Sequence, residues 1–143
     1  MVRAGLARLS KGGRVVFEAY KRYADFQGRS GRSEFWLFAL FCMLVGVAFS
    51  ILSTVLGGNS LQPNMLVMAL YGIFGLASLV PSLAVAFRRL HDTDRSAWWL
   101  LLGFIPLIGA IVLIVFYCLP GTPGPNRFGP PQGAAAGDAP ATA

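Results

Sequence analysis

The chain has 143 residues, of which 55% are hydrophobic and only 13% charged, with a net charge of +6. An ordinary soluble domain carries about twice that share of charged residues, and a small one has too little interior to bury so much apolar surface. The composition therefore excludes a water-soluble fold and indicates an integral membrane protein.

The amino-terminal segment is basic, and residues 1–13 are expected to form a flexible arm. From Arg14 onward, Val16, Tyr20 and Tyr23 recur at helical spacing. This pattern predicts a short amphipathic helix lying on the membrane surface. The alternative is a disordered basic arm.

Three apolar stretches follow, over residues 35–56, 66–87 and 98–119. Each is long enough to cross the bilayer, because a spanning helix needs roughly 20 apolar residues. The predicted fold class is therefore all-α integral membrane, with three transmembrane helices after the interfacial helix. Residues 14–130 form one membrane domain, and the Ala/Gly/Pro-rich tail, residues 131–143, is expected to be disordered.

Pro106 lies inside the third stretch. A proline removes one backbone hydrogen bond from a helix and clashes with the preceding turn, so it predicts a kink in the third span.

Lysine and arginine are dense before the first span and in the linker between the second and third spans, whereas the tail has only Arg127. The positive-inside rule then predicts a cytoplasmic amino terminus, a cytoplasmic second linker and a periplasmic carboxyl terminus. The basic residues flank apolar spans, so we expect anionic lipid headgroups as their partners and no nucleic acid.

The two basic segments also contain acidic residues, which attraction to lipid does not explain. Pairing between helix ends does explain them, because charges beside hydrocarbon are screened less than on an open surface. We expect Arg32 or Arg29 to pair with Asp92 or Asp94, with His91 as a hydrogen-bond partner. The candidate interfacial charge cluster is Arg29, Arg32, Glu34, Arg88, Arg89, His91, Asp92, Asp94 and Arg95.

His91 beside Asp92 also makes a membrane enzyme conceivable, but a general base needs an orienting partner and a reacting atom within hydrogen-bond reach. One histidine and two aspartates fall short of a closed zinc site, which takes four ligands. We therefore expect no catalytic residue, no cofactor and no metal.

Two further patterns concern the spans. Tryptophans at their ends predict membrane-interface anchors, namely Trp36, Trp98 and Trp99. Small residues four apart predict close helix packing, within the chain or between copies, at Gly46, Ser50, Thr54, Ser78, Ser82 and Ala86.

Four stretches occur in the order "FQGRSGRSEFW", "RRLHDTDRSAWW", "IPLIG" and "GTPGPNRFG". Together they resemble the bacterial inner-membrane family catalogued as domain of unknown function 805, the YhaH-like proteins, over about residues 23–130. The resemblance implies a small multi-span protein of the bacterial cytoplasmic membrane and brings no catalytic residues. The family's signature positions correspond here to Gly28, Arg29, Arg32, Glu34, Trp36, Arg88, Arg89, His91, Asp92, Trp98, Pro106, Gly109, Asn126 and Gly129. Asp94 and Ala97 stand where many members are expected to have glycine.

The leading functional hypothesis is a non-enzymatic membrane interaction or scaffold component, with a lipid or an unidentified membrane protein as partner. The alternative is a subunit of an oligomeric small transporter or channel. That alternative needs several copies, because the three spans contain no aspartate, glutamate, lysine, arginine or histidine to line a polar path.

Overall fold

A computed structural model of the chain describes residue 14, residues 16–57 and residues 64–132. Its described helices are α1 (Arg32–Leu56), α2 (Met65–Asp92), a 3-10 helix (Ala97–Phe104) and α3 (Ile108–Cys118). This all-helical architecture agrees with the predicted class. The predicted flexible arm, residues 1–13, and residues 133–143 of the predicted disordered tail lie outside the described residues.

Within the described chain, α1 and α2 are the helices long and apolar enough to cross a membrane. Their large apolar side chains point outward, for example Val55 at 70% and Met65 at 83% exposed. A soluble protein would bury such residues, whereas hydrocarbon accepts them and leaves the backbone bonded within the helix. α2 also continues through Arg88 and Asp92, beyond its predicted end at Phe87.

The described chain divides into two compact units. The first contains the described residues up to Tyr23 together with Leu37–Ser82. Aromatic side chains fill it: the Tyr20 ring packs against Phe38 and Phe41, at centroid distances of 5.5 and 6.2 Å. The second unit contains Ala24–Trp36 and the described residues from Leu83 onward.

The amino-terminal helical segment, residues 16–21, lies in the first unit. The Tyr20 hydroxyl is 2.8 Å from the Ser78 hydroxyl, so the Tyr20 side chain contacts α2. Tyr23, expected on the same apolar face, is 41% exposed. The segment is helical as predicted over these residues, and its position on a membrane surface stays a prediction.

The small residues of α1 are used unequally. A Cβ atom added to Gly46 would lie 2.9 Å from the Tyr71 hydroxyl, so glycine permits this close approach. Ser50 and Thr54 are exposed, and the Thr54 hydroxyl donates to the Ser50 carbonyl at 3.0 Å. The helix itself satisfies the Thr54 hydroxyl, and the use of these two residues in helix packing stays a prediction.

The small residues of α2 face inward. Ser78 is buried at its bond to Tyr20, and Ser82 hydrogen-bonds with the Cys42 thiol. Ala86, in the second unit, is buried as well.

The predicted third span is not one helix, and this corrects the sequence-based expectation. The 3-10 helix ends at Phe104, and α3 begins only at Ile108. Between them Pro106 precedes Leu107, whose φ of 63° reverses the chain direction. A proline cannot donate in the helix ladder, and here it stands at a full break instead of a kink.

The 3-10 helix and α3 pack against each other, and we call this pair the helical hairpin. The two helices cross at Gly109, where an added Cβ atom would lie 1.6 Å from the Leu102 carbonyl oxygen. With 8 and 11 residues, each arm is about 16 Å long. Neither arm could cross about 30 Å of hydrocarbon.

The chain after the helical hairpin returns to the end of α2. The Thr122 amide donates to the Asp92 carbonyl at 2.8 Å, and Arg29 donates to the Gly124 carbonyl at 2.6 Å. The sequence predicts that this segment lies on the opposite side of the bilayer from Arg88. These contacts do not fit that prediction.

Candidate functional site

Five charged residues of the second unit form the arginine–carboxylate cluster. Arg88, Arg89 and Asp92 lie on the last turn of α2, Glu34 on the first turn of α1, and Arg29 in the extended segment before α1. Each is at most 6% exposed. Such burial is unusual, because charged residues are rarely fully buried unless they are paired.

Asp92 joins two of the arginines. Its Oδ1 accepts from Arg29 Nε at 2.9 Å, and its Oδ2 accepts from Arg89 Nη1 at 2.6 Å. These are charge-assisted hydrogen bonds of the strong class. The expected pairing of Arg29 with Asp92 is thus present, whereas Arg32 is exposed and Asp94 pairs with Arg127 at 3.2 Å.

Glu34 holds the third arginine. Arg88 Nη2 lies 3.1 Å from Glu34 Oε1, and Arg88 Nε donates to the Ala84 carbonyl at 3.3 Å. Ser30 Oγ donates to Glu34 Oε2 at 2.9 Å, and Gln132 Nε2 donates to the same oxygen. The Glu34 carboxylate therefore has partners from α2, from the segment before α1 and from the chain after α3.

Backbone carbonyls accept further donors of Arg29 and Arg89. Arg29 donates to the carbonyls of Thr122 and Gly124, both at 2.6 Å. Arg89 Nε and Nη2 donate to the Tyr117 carbonyl at 3.2 and 3.1 Å. Because arginine has five N–H donors and no acceptor, the chain that follows α3 is needed to complete the cluster.

The carboxyl end of α2 is capped by the same surrounding segments. The last carbonyls of a helix have no partner within it, and here other groups donate to them. The donors are the Ser30 amide to Arg88 (3.0 Å), the Asn126 side chain to His91 (2.9 Å) and the Thr122 amide to Asp92 (2.8 Å).

Three guanidinium groups and two carboxylates give the cluster a formal charge of +1. Arg88 and Arg89 also lie at the negative end of the α2 dipole, which favours cations. A buried charge is tolerated only when it is paired and hydrogen-bonded. The cluster is therefore a fixed positive centre with most of its donors already occupied.

His91 and Asp92 do not form a histidine–aspartate pair. The His91 ring stacks on Phe128 at 3.9 Å and 5°, and its Nδ1 lies 3.3 Å from the Gly28 carbonyl oxygen. Asp92 is held by two arginines instead. A general base oriented by a neighbouring carboxylate, as in a catalytic triad, is not assembled by this pair.

The loop after α2 makes an unusual turn at Asp94, whose φ is 56°. Aspartate tolerates this left-handed conformation better than most residues, and the glycine expected there in related sequences would adopt it freely. The neighbouring Arg95 lies over the Phe116 ring at 4.2 Å.

The three tryptophans expected at the membrane interface are all exposed: Trp36, Trp98 and Trp99. Trp99 contacts the Phe116 ring edge-on at 5.3 Å. No group of three or more histidine, cysteine, aspartate or glutamate residues able to hold a metal ion occurs in the described part of the chain.

The sequence pattern did not identify five partners of the arginine–carboxylate cluster, namely Ser30, Tyr117, Thr122, Gly124 and Gln132. Most of their bonds join residues far apart in sequence, such as Arg29 and Gly124, which are 95 positions apart. Asn126 was singled out only through the "GTPGPNRFG" stretch, which was the one signal that the tail belongs to the site.

Residues 23–130 match the family model described as protein of unknown function DUF805. The chain is 46% identical over 110 residues to the inner membrane protein YhaH of Escherichia coli K12, covering 77% of this chain and 88% of YhaH. It is 45% identical over 109 residues to the inner membrane protein YhaI, covering 76% and 86%. It is 30% identical over 133 residues to the uncharacterized protein YiiR, covering 73% and 84%. No solved structure matches.

Proposed function

Because the chain belongs to the DUF805 family and its relatives YhaH and YhaI are named inner membrane proteins, we propose that it is a multi-pass protein of the bacterial inner membrane. Its role is that of a non-enzymatic interaction or scaffold component. The observation that carries this proposal is the use of its charges. Five of them hold the second unit together from inside, and no charged residue lies between Phe35 and Phe87.

Transport proteins place ionisable groups inside the membrane, where they are costly and mark the path of an ion or proton. The apolar lengths of α1 and α2, residues 35–56 and 66–87, contain no aspartate, glutamate, lysine, arginine or histidine. The buried arginines at the end of α2 are engaged by carboxylates and carbonyls. Paired charges of this kind hold a fold together from inside, whereas a selective pore would need charges directed at a path.

The proposed topology has two membrane-crossing helices, α1 and α2, and a helical hairpin that enters the bilayer and returns on the same side. Two arms of about 16 Å each reach about half of the hydrocarbon thickness. The turn is apolar and outward-facing, with Phe104 84% and Leu107 80% exposed, which suits hydrocarbon. The basic residues at the arginine–carboxylate cluster support a cytoplasmic location for this end.

In the proposed topology the described chain after α3 lies on the cytoplasmic side, and the amino-terminal helical segment lies on the cytoplasmic leaflet. A reporter fused after Gln132 should be active in the cytoplasm, and one inserted in the linker of residues 58–63 should be active in the periplasm. A periplasmic tail would restore three full crossings and overturn this topology.

The interaction role is tested by crosslinking in native membranes followed by co-purification, together with the mass of the purified protein in nanodiscs. A monomer that captures a reproducible membrane-protein partner supports the proposal. A closed ring of copies without such a partner would support the transporter or channel alternative and contradict it.

A further inference from the structure

The helical hairpin and the end of α2 line an open cavity of about 700 Å³, a volume typical of ligand pockets. It lies within the second unit, and none of the five charged residues of the arginine–carboxylate cluster lines it. Its wall is mainly apolar and comes from all three helices: Leu83, Phe87, Trp98, Leu101, Phe104 and Leu113.

Three polar residues also line this cavity: His91, Ser96 and Tyr117. His91 Nδ1 faces the Gly28 carbonyl, so its proton lies on Nδ1 and Nε2 is an acceptor. Ser96 Oγ accepts from the Trp98 amide at 3.4 Å, which leaves its proton to donate. No described residue hydrogen-bonds to the Tyr117 hydroxyl. An apolar wall with a few polar groups of this kind is typical of a site for an amphiphile.

The polar residues connect the cavity to the positive cluster. The Tyr117 carbonyl accepts from Arg89, and His91 immediately precedes Asp92 on α2. The cluster carries a formal +1, and Arg95 follows it in the loop beside Ser96. This side of the cavity therefore favours a negatively charged group, because the charge is fixed in a medium of low dielectric constant.

We propose that the cavity binds an anionic phospholipid of the cytoplasmic leaflet. One acyl chain lies against the apolar wall of the helical hairpin, and the phosphate lies at the two hydroxyl donors, Ser96 and Tyr117. This inference rests on the proposed topology, in which the arms of the helical hairpin extend to the depth of one leaflet. A chain entering from that leaflet runs beside both arms.

Native mass spectrometry of the full-length protein with added phosphatidylglycerol or phosphatidylcholine tests the site. Ala97→Trp fills the cavity, and Ala110→Trp, on an exposed position of α3, is the matched control. We expect Ala97→Trp to weaken retention of phosphatidylglycerol about tenfold and Ala110→Trp to leave it unchanged. Gly103→Leu, at another lining position, replaces Ala97→Trp if that variant does not fold.

The headgroup is tested separately with Tyr117→Phe, which keeps the ring and removes the hydroxyl. A lost hydrogen bond to the lipid phosphate should reduce binding of phosphatidylglycerol about tenfold, whereas phosphatidylcholine, whose net charge is zero, should bind weakly to the wild type as well. Tyr71→Phe, in the first unit, is the control and should change neither.

Three results would overturn the proposal: equal binding of the two lipids by the wild type, undiminished retention in both filling variants, or an uncharged molecule such as a quinone as the species bound in the cavity. The reporter fusions are independent of lipid binding. If they place the tail in the cytoplasm while lipid binding fails, the pocket proposal alone is wrong.

Discussion

At the scale of single residues, Asp92 joins the end of α2 to the segments around it. Its carboxylate accepts from Arg29 and Arg89, and its carbonyl accepts from the amide and hydroxyl of Thr122. Removing one partner of a buried ion pair leaves an uncompensated charge, and this costs about 3–5 kcal/mol. An exposed pair contributes only about 0–1 kcal/mol.

Asp92→Asn should therefore lower stability in detergent by about 3–5 kcal/mol, because Arg29 and Arg89 lose their buried counter-charge. Asp94→Asn is the matched control, since its pair with Arg127 is largely exposed, and it should change stability by less than about 1 kcal/mol. Chemical denaturation followed by tryptophan fluorescence measures both. Equal effects of the two substitutions would mean that the Asp92 pairs contribute little beyond surface charge.

Gly121 lies where the chain after α3 closely approaches Asp92. A Cβ atom at this position would lie 2.2 Å from Asp92 Oδ2, so Gly121→Ala must displace either the carboxylate or the tail. We expect a loss of about 1–3 kcal/mol. Gly72→Ala has open space around it and should be neutral or slightly stabilising in the same denaturation assay. A neutral Gly121→Ala would show that the tail is not held at this distance.

At the scale of elements, the helical hairpin depends on close backbone contact. A Cβ atom on Gly109 would meet the Leu102 carbonyl at 1.6 Å, and a backbone group cannot rotate away as a side chain can. Gly109→Ala should separate the arms and lower the unfolding temperature by several degrees, as expected for a loss of 1–3 kcal/mol in a protein of about this size. Gly75→Ala, which meets nothing within 4 Å, is the control. If both variants unfold alike, the arms do not cross at Gly109.

The amino-terminal helical segment contacts the protein through Tyr20 rather than through Tyr23. Tyr20→Ala removes the ring contacts with Phe38 and Phe41 and the bond to Ser78. It should therefore increase tryptic cleavage after Lys21 and Arg22 in inverted vesicles several-fold, because local opening becomes more favourable. Tyr23→Ala should have little effect. Similar increases from both variants would indicate that the leaflet, and not the first unit, holds this segment.

At the scale of the whole molecule, Cys118 reports the topology. It is exposed at the end of α3, next to Leu119, whose carbonyl accepts from Arg89. In a Cys42→Ser background, a membrane-impermeant maleimide should label Cys118 in inverted vesicles and not in spheroplasts. Cys118→Ser is the unlabelled control. Labelling only in spheroplasts would place the end of α3 in the periplasm and contradict the helical hairpin.

The sequence alone determined the class of the protein, its two long apolar helices and most charged members of the site. These features follow from local properties of the sequence. The apolar runs starting at Phe35 and Leu66 are long enough for a bilayer crossing. The charges at their ends need partners. Only the tertiary structure decided that Arg29 rather than Arg32 pairs with Asp92, and that carbonyls beyond α3 complete the arginines. It also decided that residues 98–119 form a helical hairpin, since an apolar run of this length suits one span or two half-length arms equally well. The difference depends on the packing of Gly109 against Leu102 and on bonds between residues 63 or more positions apart, which no local pattern records.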